Sequence, residues 1–270
     1  MDCEMNGILA EIVENKKQEL EQRKQIRPLE ALIEAASVRP PARDFRSALR
    51  RRGGPVRLLA EIKAASPSTG PIRADIDPGS IAALYESCGA AAISVLTDAR
   101  YFNGSDAHLE EARAAVSVPV LRKDFTIDTY QLYESRVIGA DAVLLMAQVL
   151  PEEAFATLYH QARALGLHVL AEGHTPKQIE FLVSIGAEVI GINNRDFETM
   201  TVDIQTTLKN RGLVPPDRVL VSQSGIARRE DVLLLEQVGV DAIQVGTSLM
   251  QNQNIRAKLA ELLGNPLDAV

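Results

Sequence analysis

Short, almost wholly apolar runs recur along the chain, separated by longer stretches in which apolar residues return every three or four positions. The runs are Arg57–Ile62, Ala92–Leu96, Val118–Leu121, Ala142–Leu145, Leu167–Leu170, Val189–Ile192, Arg218–Val221 and Ala242–Val245. Apolar and polar residues do not alternate within them, which is the pattern of parallel strands covered on both faces. Between them, Asp128–Ile138, Pro151–Leu165 and Arg228–Val238 carry the 3.6-residue period of helices. Asp128 suits an N-cap, and Pro151 suits the first helical turn. A repeat punctuates the series: Gly89-Ala-Ala-Ala-Ile, Gly139-Ala-Asp-Ala-Val, Gly186-Ala-Glu-Val-Ile and Gly239-Val-Asp-Ala-Ile, spaced by 50, 47 and 53 residues. Each glycine closes a helical pattern and leads straight into a strand, as a helix-ending residue in the left-handed region does.

Eight strand–helix units of about 25–30 residues predict a (β/α)8 TIM barrel. A doubly wound open sheet is the rival, but it commonly carries Gly-x-Gly-x-x-Gly after its first strand, and none follows Arg57–Ile62. Residues 1–270 therefore read as one α/β barrel domain, with residues 1–45 as an N-terminal helical extension. In that extension Ile8, Leu9, Ile12, Val13 and Leu20 form an apolar stripe, Leu29–Ala36 repeats the helical pattern, and Arg39-Pro40-Pro41 is a connector. Two placements are open: a cap under the barrel bottom, or a cover over the rim.

Composition narrows the function classes. With 29 Lys and Arg against 36 Asp and Glu, the net charge is −7. No basic surplus is available for a phosphodiester backbone, so no nucleic-acid partner is expected. The longest apolar stretch, Ala142–Leu150, is too short to span a bilayer and contains Gln148. The start, MDCEMNGILAEIVENKK, has early acidic residues and no apolar signal core, so a cytoplasmic location without a membrane partner is expected. Cys3 and Cys88 make neither a disulfide framework nor a metal cluster.

In a barrel the chemistry sits where strands end. Strand one ends in Glu61-Ile62-Lys63, with Glu61 and Lys63 on one face by period-two alternation. The others end in Thr97-Asp98, Lys123-Asp124-Phe125, Met146, Glu172, Asn193-Asn194-Arg195-Asp196, Ser222-Gln223-Ser224-Gly225 and Gly246-Thr247-Ser248. Charged groups converging on such a mouth carry a desolvation cost that a purely structural barrel has no need to bear. The small-residue turns on strands seven and eight suit a phosphate cradle, hence a phosphorylated small-molecule substrate. Lys123 as acid and Glu172 as base would transfer protons; structural ion pairs with Glu61 or Glu172, or a Schiff-base role for Lys123, remain alternatives. The four histidines are weak candidates. Only His174 follows a strand end.

At these strand ends the sequence resembles the indole-3-glycerol phosphate synthase family. The matching segments are ILAEIVENKKQEL, AEIKAASPSTG, LTDARYFNGS, VLRKDF, LAEGHT, GINNRDF, VSQSGI and VGTSLM, in that order. The resemblance implies a cofactor-free lyase of tryptophan biosynthesis; no carboxylate–histidine spacing suggests a metal, and a monomer or weak oligomer is expected. Its substrate, 1-(2-carboxyphenylamino)-1-deoxyribulose 5-phosphate, closes a ring, loses CO2 and then water. By the same resemblance Lys123 is the general acid, Glu172 the base, Asn193 the residue placing the sugar hydroxyl, and Lys63 with Glu61 the pair orienting the anthranilate carboxylate. Arg195 and Ser224 match positions lining the site. Ser66, Gly225, Gly246 and Thr247 match the phosphate cradle, and Phe102, Phe125, Leu144 and Met146 the apolar wall. Three positions depart from the usual pattern: Ala64 where a second basic residue is common, Gly173 where a β-branched residue is common, and Gln223 where Glu is usual. If position 223 moves protons, restoring Glu there is expected to raise kcat.

Overall fold

A computed structural model describes residues 7–73 and 75–264. The apolar runs become eight strands: β1 (Arg57–Ile62), β2 (Ala92–Leu96), β3 (Val120–Lys123), β4 (Ala142–Met146), β5 (His168–Gly173), β6 (Val189–Asn193), β7 (Val219–Gln223) and β8 (Ala242–Val245). Each pairs in parallel with its neighbours, and β8 returns to β1 to close the barrel. The register sets Asn193 beside Gln223, Gln223 beside Gln244, and Met146 beside Glu172, so the polar ends meet at one mouth. The strand bodies are buried on both faces, which is why their sequences do not alternate.

The four repeat glycines have φ of 91°, 86°, 77° and 78°, the left-handed conformation expected of them. Two of the acidic residues that follow them tie the barrel bottom together. Asp141 accepts from Val120 N at 2.8 Å and Asp241 from Leu220 N at 2.9 Å, each bridging to the preceding strand. Each also accepts from the extension or the segment after it, Arg43 N at 2.8 Å and Arg51 N at 3.0 Å respectively.

The extension covers the rim, and the short helix that follows it lies at the bottom. Helix α1 (Ile8–Ile26) lies over the rim, where Ile8 and Ile12 border the central cavity. Its Lys16, 1% exposed, contacts Asp98 at 3.0 Å and Asp124 at 2.9 Å, just past the ends of β2 and β3. Helix α2 (Leu29–Ser37) packs on the helix Thr129–Val137, and the short helix Phe45–Leu49 buries Phe45 and Leu49 at the bottom.

Some boundaries differ from the sequence reading. β3 begins two residues later than expected and runs on through Arg122 and Lys123. Charge hid this stretch, because Arg122 is buried in ion pairs with Asp106 and Glu134 rather than exposed. Pro151 is the N-cap of Glu152–Ala164, one position before the helix. Asp128 does cap Thr129–Val137, with a reciprocal bond to Gln131. Cys88 is buried, and Cys3 lies outside the described residues. Among the described residues no helix is long and apolar enough to cross a membrane.

Candidate active site

A cavity of about 390 Å³ opens at the C-terminal ends of the strands. The residues given a role by the family resemblance all line it: Glu61, Lys63, Ser66, Phe102, Lys123, Phe125, Leu144, Met146, Glu172, Asn193, Arg195, Ser224, Gly225, Gly246 and Thr247. His174 does not; its Nδ1 lies 2.7 Å from Asn193 O, on the backbone of that strand end.

Two lysine–carboxylate pairs form the charged centre. Lys63 Nζ lies 2.7 Å from Glu61 Oε1, and Lys123 Nζ lies 3.6 Å from Glu172 Oε2. The ion pairs and the converging mouth are thus one arrangement, since both pairs face the cavity. Burial works to raise the Glu61 carboxyl. Lys63 and Lys123, with hydrogen bonds from Lys63 and Gln244, outweigh it and hold that carboxyl below its ordinary value.

Glu172 is fully buried, and its oxygens are held from two sides. Asn193 Nδ2 donates to Oε1 at 3.0 Å and Gln223 Nε2 donates to Oε2 at 2.8 Å. Asn193 is itself fixed, because its Oδ1 accepts from Arg195 N at 2.9 Å. A carboxylate with this many donors is oriented before any ligand arrives.

One side of the cavity is apolar. Phe102 and Phe125 set their ring centroids 6.1 Å apart at 40°, and Leu144 and Met146 continue that wall. The rim beyond it includes the turns after β7 and β8, joined where Ser248 Oγ donates to Ile226 O at 3.2 Å. Ser224 and Gly225 have φ of 69° and 78°. A Cβ on Gly225 would stand 2.6 Å from Val202 Cγ1, and one on Gly246 would overlap the Glu61 carboxylate. Both glycines are therefore required by close approach, and Gly246 specifically makes room for a charged residue of the centre.

Several lining residues were not foreseen. Phe197, Met200 and Val202 come from the loop after β6, folded back by an Arg195–Val202 bridge with Met200 at φ 59°. Gln244 was read as part of an apolar run; the amide inside that run was the available signal. Asp124, at the strand-three end, lines the cavity and ties it to α1 through Lys16.

Chemically, this is a mouth with ammonium groups beside carboxylates, a dry wall suited to an aromatic ring, and a rim of small residues suited to an anion. Among the described residues no group of three His, Cys, Asp or Glu is placed to hold a metal.

The family model described as indole-3-glycerol phosphate synthase matches residues 9–262. An indole-3-glycerol phosphate synthase of Polaromonas naphthalenivorans is 44% identical over 262 residues, covering 96% of this chain and 100% of the relative. One from Dehalococcoides mccartyi (strain CBDB1) is 44% identical over 260 residues, covering 95% and 100%. Among solved structures, a thiamine phosphate pyrophosphorylase from Pyrococcus furiosus superposes with a TM-score of 0.58 at 16% identity, over 81% of this chain and 96% of that one. That likeness shows the shared barrel fold. On the full-length sequence matches, the chain belongs to the indole-3-glycerol phosphate synthase family.

Proposed function

We propose that this chain converts 1-(2-carboxyphenylamino)-1-deoxyribulose 5-phosphate to indole-3-glycerol phosphate, with Lys123 as general acid and Glu172 as general base. The observation that carries the assignment is the Lys123–Glu172 pair, 3.6 Å apart, with Glu172 fully buried and fixed by two amide donors. Lys123 protonates the ribulose carbonyl oxygen as the aryl carbon bonds to the carbonyl carbon. The carboxylate leaves as CO2, which restores the aromatic ring; Lys123 regains a proton from solvent, and the new hydroxyl then leaves as water with that proton. Glu172 takes the proton released in that dehydration, with Asn193 placing the sugar hydroxyl.

Lys63, held by Glu61 at 2.7 Å, takes the anthranilate carboxylate before it departs. The Phe102, Phe125, Leu144 and Met146 wall receives the aryl ring, with Arg195 bordering it. Ser66, Ser224, Gly225, Gly246 and Thr247 receive the phosphate. The anchor at one end and the ring slot at the other bring the reacting carbons together, so binding energy lowers the cost of orientation. No cofactor is needed for this sequence of steps.

Because one chain supplies the acid, the base, the wall and the rim, each barrel is read as working alone, as a monomer or weak oligomer. Leu9, Ile12 and Val13 of α1 join the same core as the strands, which supports treating the chain as a single domain. A buried free Cys88 fits a reducing, cytoplasmic setting.

The test is Lys123→Met. It is expected to lower kcat by about 10²-fold or more, the scale of lost acid catalysis, while a phosphate-bearing product analogue still binds. Borohydride added with substrate is expected to leave no adduct on Lys123. Near-normal turnover by the variant, or a trapped adduct, overturns the assignment.

A further inference from the structure

Two buried glutamines join the two carboxylates of the site across the barrel. Gln223 Nε2 donates to Glu172 Oε2 at 2.8 Å and also to Gln244 Oε1 at 2.8 Å. Gln244 Nε2 donates in turn to Glu61 Oε2 at 2.7 Å and to Ser94 Oγ at 3.3 Å. Gln223 is 2% exposed and Gln244 5%, so water does not substitute for these bonds.

The direction of the relay is dictated by its ends. Each end is a carboxylate, which in its ionised form only accepts, so each amide must turn a nitrogen toward it. If Gln244 rotated by half a turn, its oxygen would face Glu61, and its nitrogen would face that of Gln223. If Gln223 rotated, its oxygen would face Glu172. Gln223 gives up its own acceptor to keep this orientation: its Oε1 is buried without a hydrogen-bond partner, against Gly191, where a Cβ would overlap it.

We propose that Gln223 and Gln244 act as one unit, a donor relay that fixes Glu172 and Glu61 as oriented anions, and that Gln244 is a positioning residue for the acid–base centre. This rests on the roles given above to Glu172, Lys123 and the Glu61–Lys63 pair. It reverses the expectation that a carboxylate at position 223 would speed the reaction. The group introduced by Gln223→Glu would stand at hydrogen-bond distance from Glu172 and from Gln244 Oε1, with no donor toward either, so Gln223 is matched to Gln244. The charged groups facing Glu61 are Lys63 and Lys123, with Glu172 at the far end of the relay. Tyr85 reaches its backbone carbonyl at 3.3 Å, and burial keeps that hydroxyl neutral.

The experiment compares wild type with Gln244→Met, Gln223→Glu and the double variant carrying both changes. Gln244→Met keeps the volume and removes both hydrogen-bonding roles. It is expected to lower kcat about tenfold or more with KM nearly unchanged, the scale of one charge-assisted hydrogen bond lost from an oriented group. The acid limb of its kcat/KM profile moves to higher pH. Gln223→Glu alone is expected to lower kcat, and the double variant to lose less than the product of the two single effects. Carbon-13 carboxyl NMR of the ligand-free protein gives a readout independent of turnover: the Glu61 resonance titrates at higher pH in Gln244→Met. An unshifted Glu61 titration in Gln244→Met, or a raised kcat in Gln223→Glu, overturns the relay. Failure of the functional reading looks different: wild type then gives no indole product, while the Glu61 titration still reports on the relay.

Discussion

Lys16 is the most exacting point at which to perturb the rim. Its ammonium lies 3.0 Å from Asp98, 2.9 Å from Asp124 and 2.8 Å from Glu19, and it is almost wholly buried. In Lys16→Met the stem is replaced by a side chain of similar length, so packing changes little while the charge disappears. Asp98 and Asp124 then remain buried, and Asp124 keeps Thr97 Oγ1 at 2.6 Å, Phe125 N at 2.8 Å and Arg122 at 3.6 Å as partners. Removing one partner of a buried ion pair costs about 3–5 kcal/mol. For a chain of this size the melting temperature is expected to fall by roughly 10 °C.

The loss depends on pH. Burial raises the Asp124 carboxyl, but Lys16 and Arg122, with hydrogen bonds from Thr97 and Lys16, overcome this and lower it to about 2 from 3.8. A carboxyl depressed on folding contributes stability that is complete above its unfolded value and is lost as pH falls toward the folded one. That contribution is on the order of 2 kcal/mol. The wild-type advantage over Lys16→Met is therefore full at pH 7 and shrinks as pH falls from about 4 to about 2. Urea unfolding followed by circular dichroism across that range measures it; the chain has no Trp to report by fluorescence. A difference below about 1 kcal/mol at pH 7, the scale of a surface pair, refutes the reasoning, as does a difference that does not vary with pH.

Gly246→Ala places a methyl group on the Glu61 carboxylate, so kcat is expected to fall about tenfold or more, and steady-state kinetics that match wild type would show that Glu61 need not sit where it does. Ser66–Thr69, in the turn of the short hairpin after β1, border the cavity. Product analogue is expected to protect this loop from proteolysis, and equal cleavage with and without it would count against closure.

Most of the fold was legible because buried parallel strands are spelled as uninterrupted apolar runs, and because the left-handed glycines that precede them are hard to replace. The reading stopped short where strands end in polar residues. β5 and β7 run past Leu170 and Val221 into Glu172 and Gln223, the residues that face the mouth. The run of β3 was read as stopping at Leu121, and only the ion pairs of Arg122 with Asp106 and Glu134 show that this residue is interior. The candidate residues were found from strand ends and motifs, and the structure brings them to one cavity. Phe197, Met200 and Val202 were missed because a loop's fold, not its sequence period, carries them inward. Gln244 was missed because its significance depends on Gln223, 21 residues away on the neighbouring strand.

Turnover itself tests the central claim most directly. Purified protein is mixed with 1-(2-carboxyphenylamino)-1-deoxyribulose 5-phosphate without added metal or cofactor, and indole fluorescence is followed together with CO2 release. The absence of Trp leaves the indole signal without a protein indole background. The account predicts one CO2 per indole formed in wild type, and a rate at least about 10²-fold lower in Lys123→Met. Substrate left unchanged by wild type, or CO2 released without indole, would contradict it.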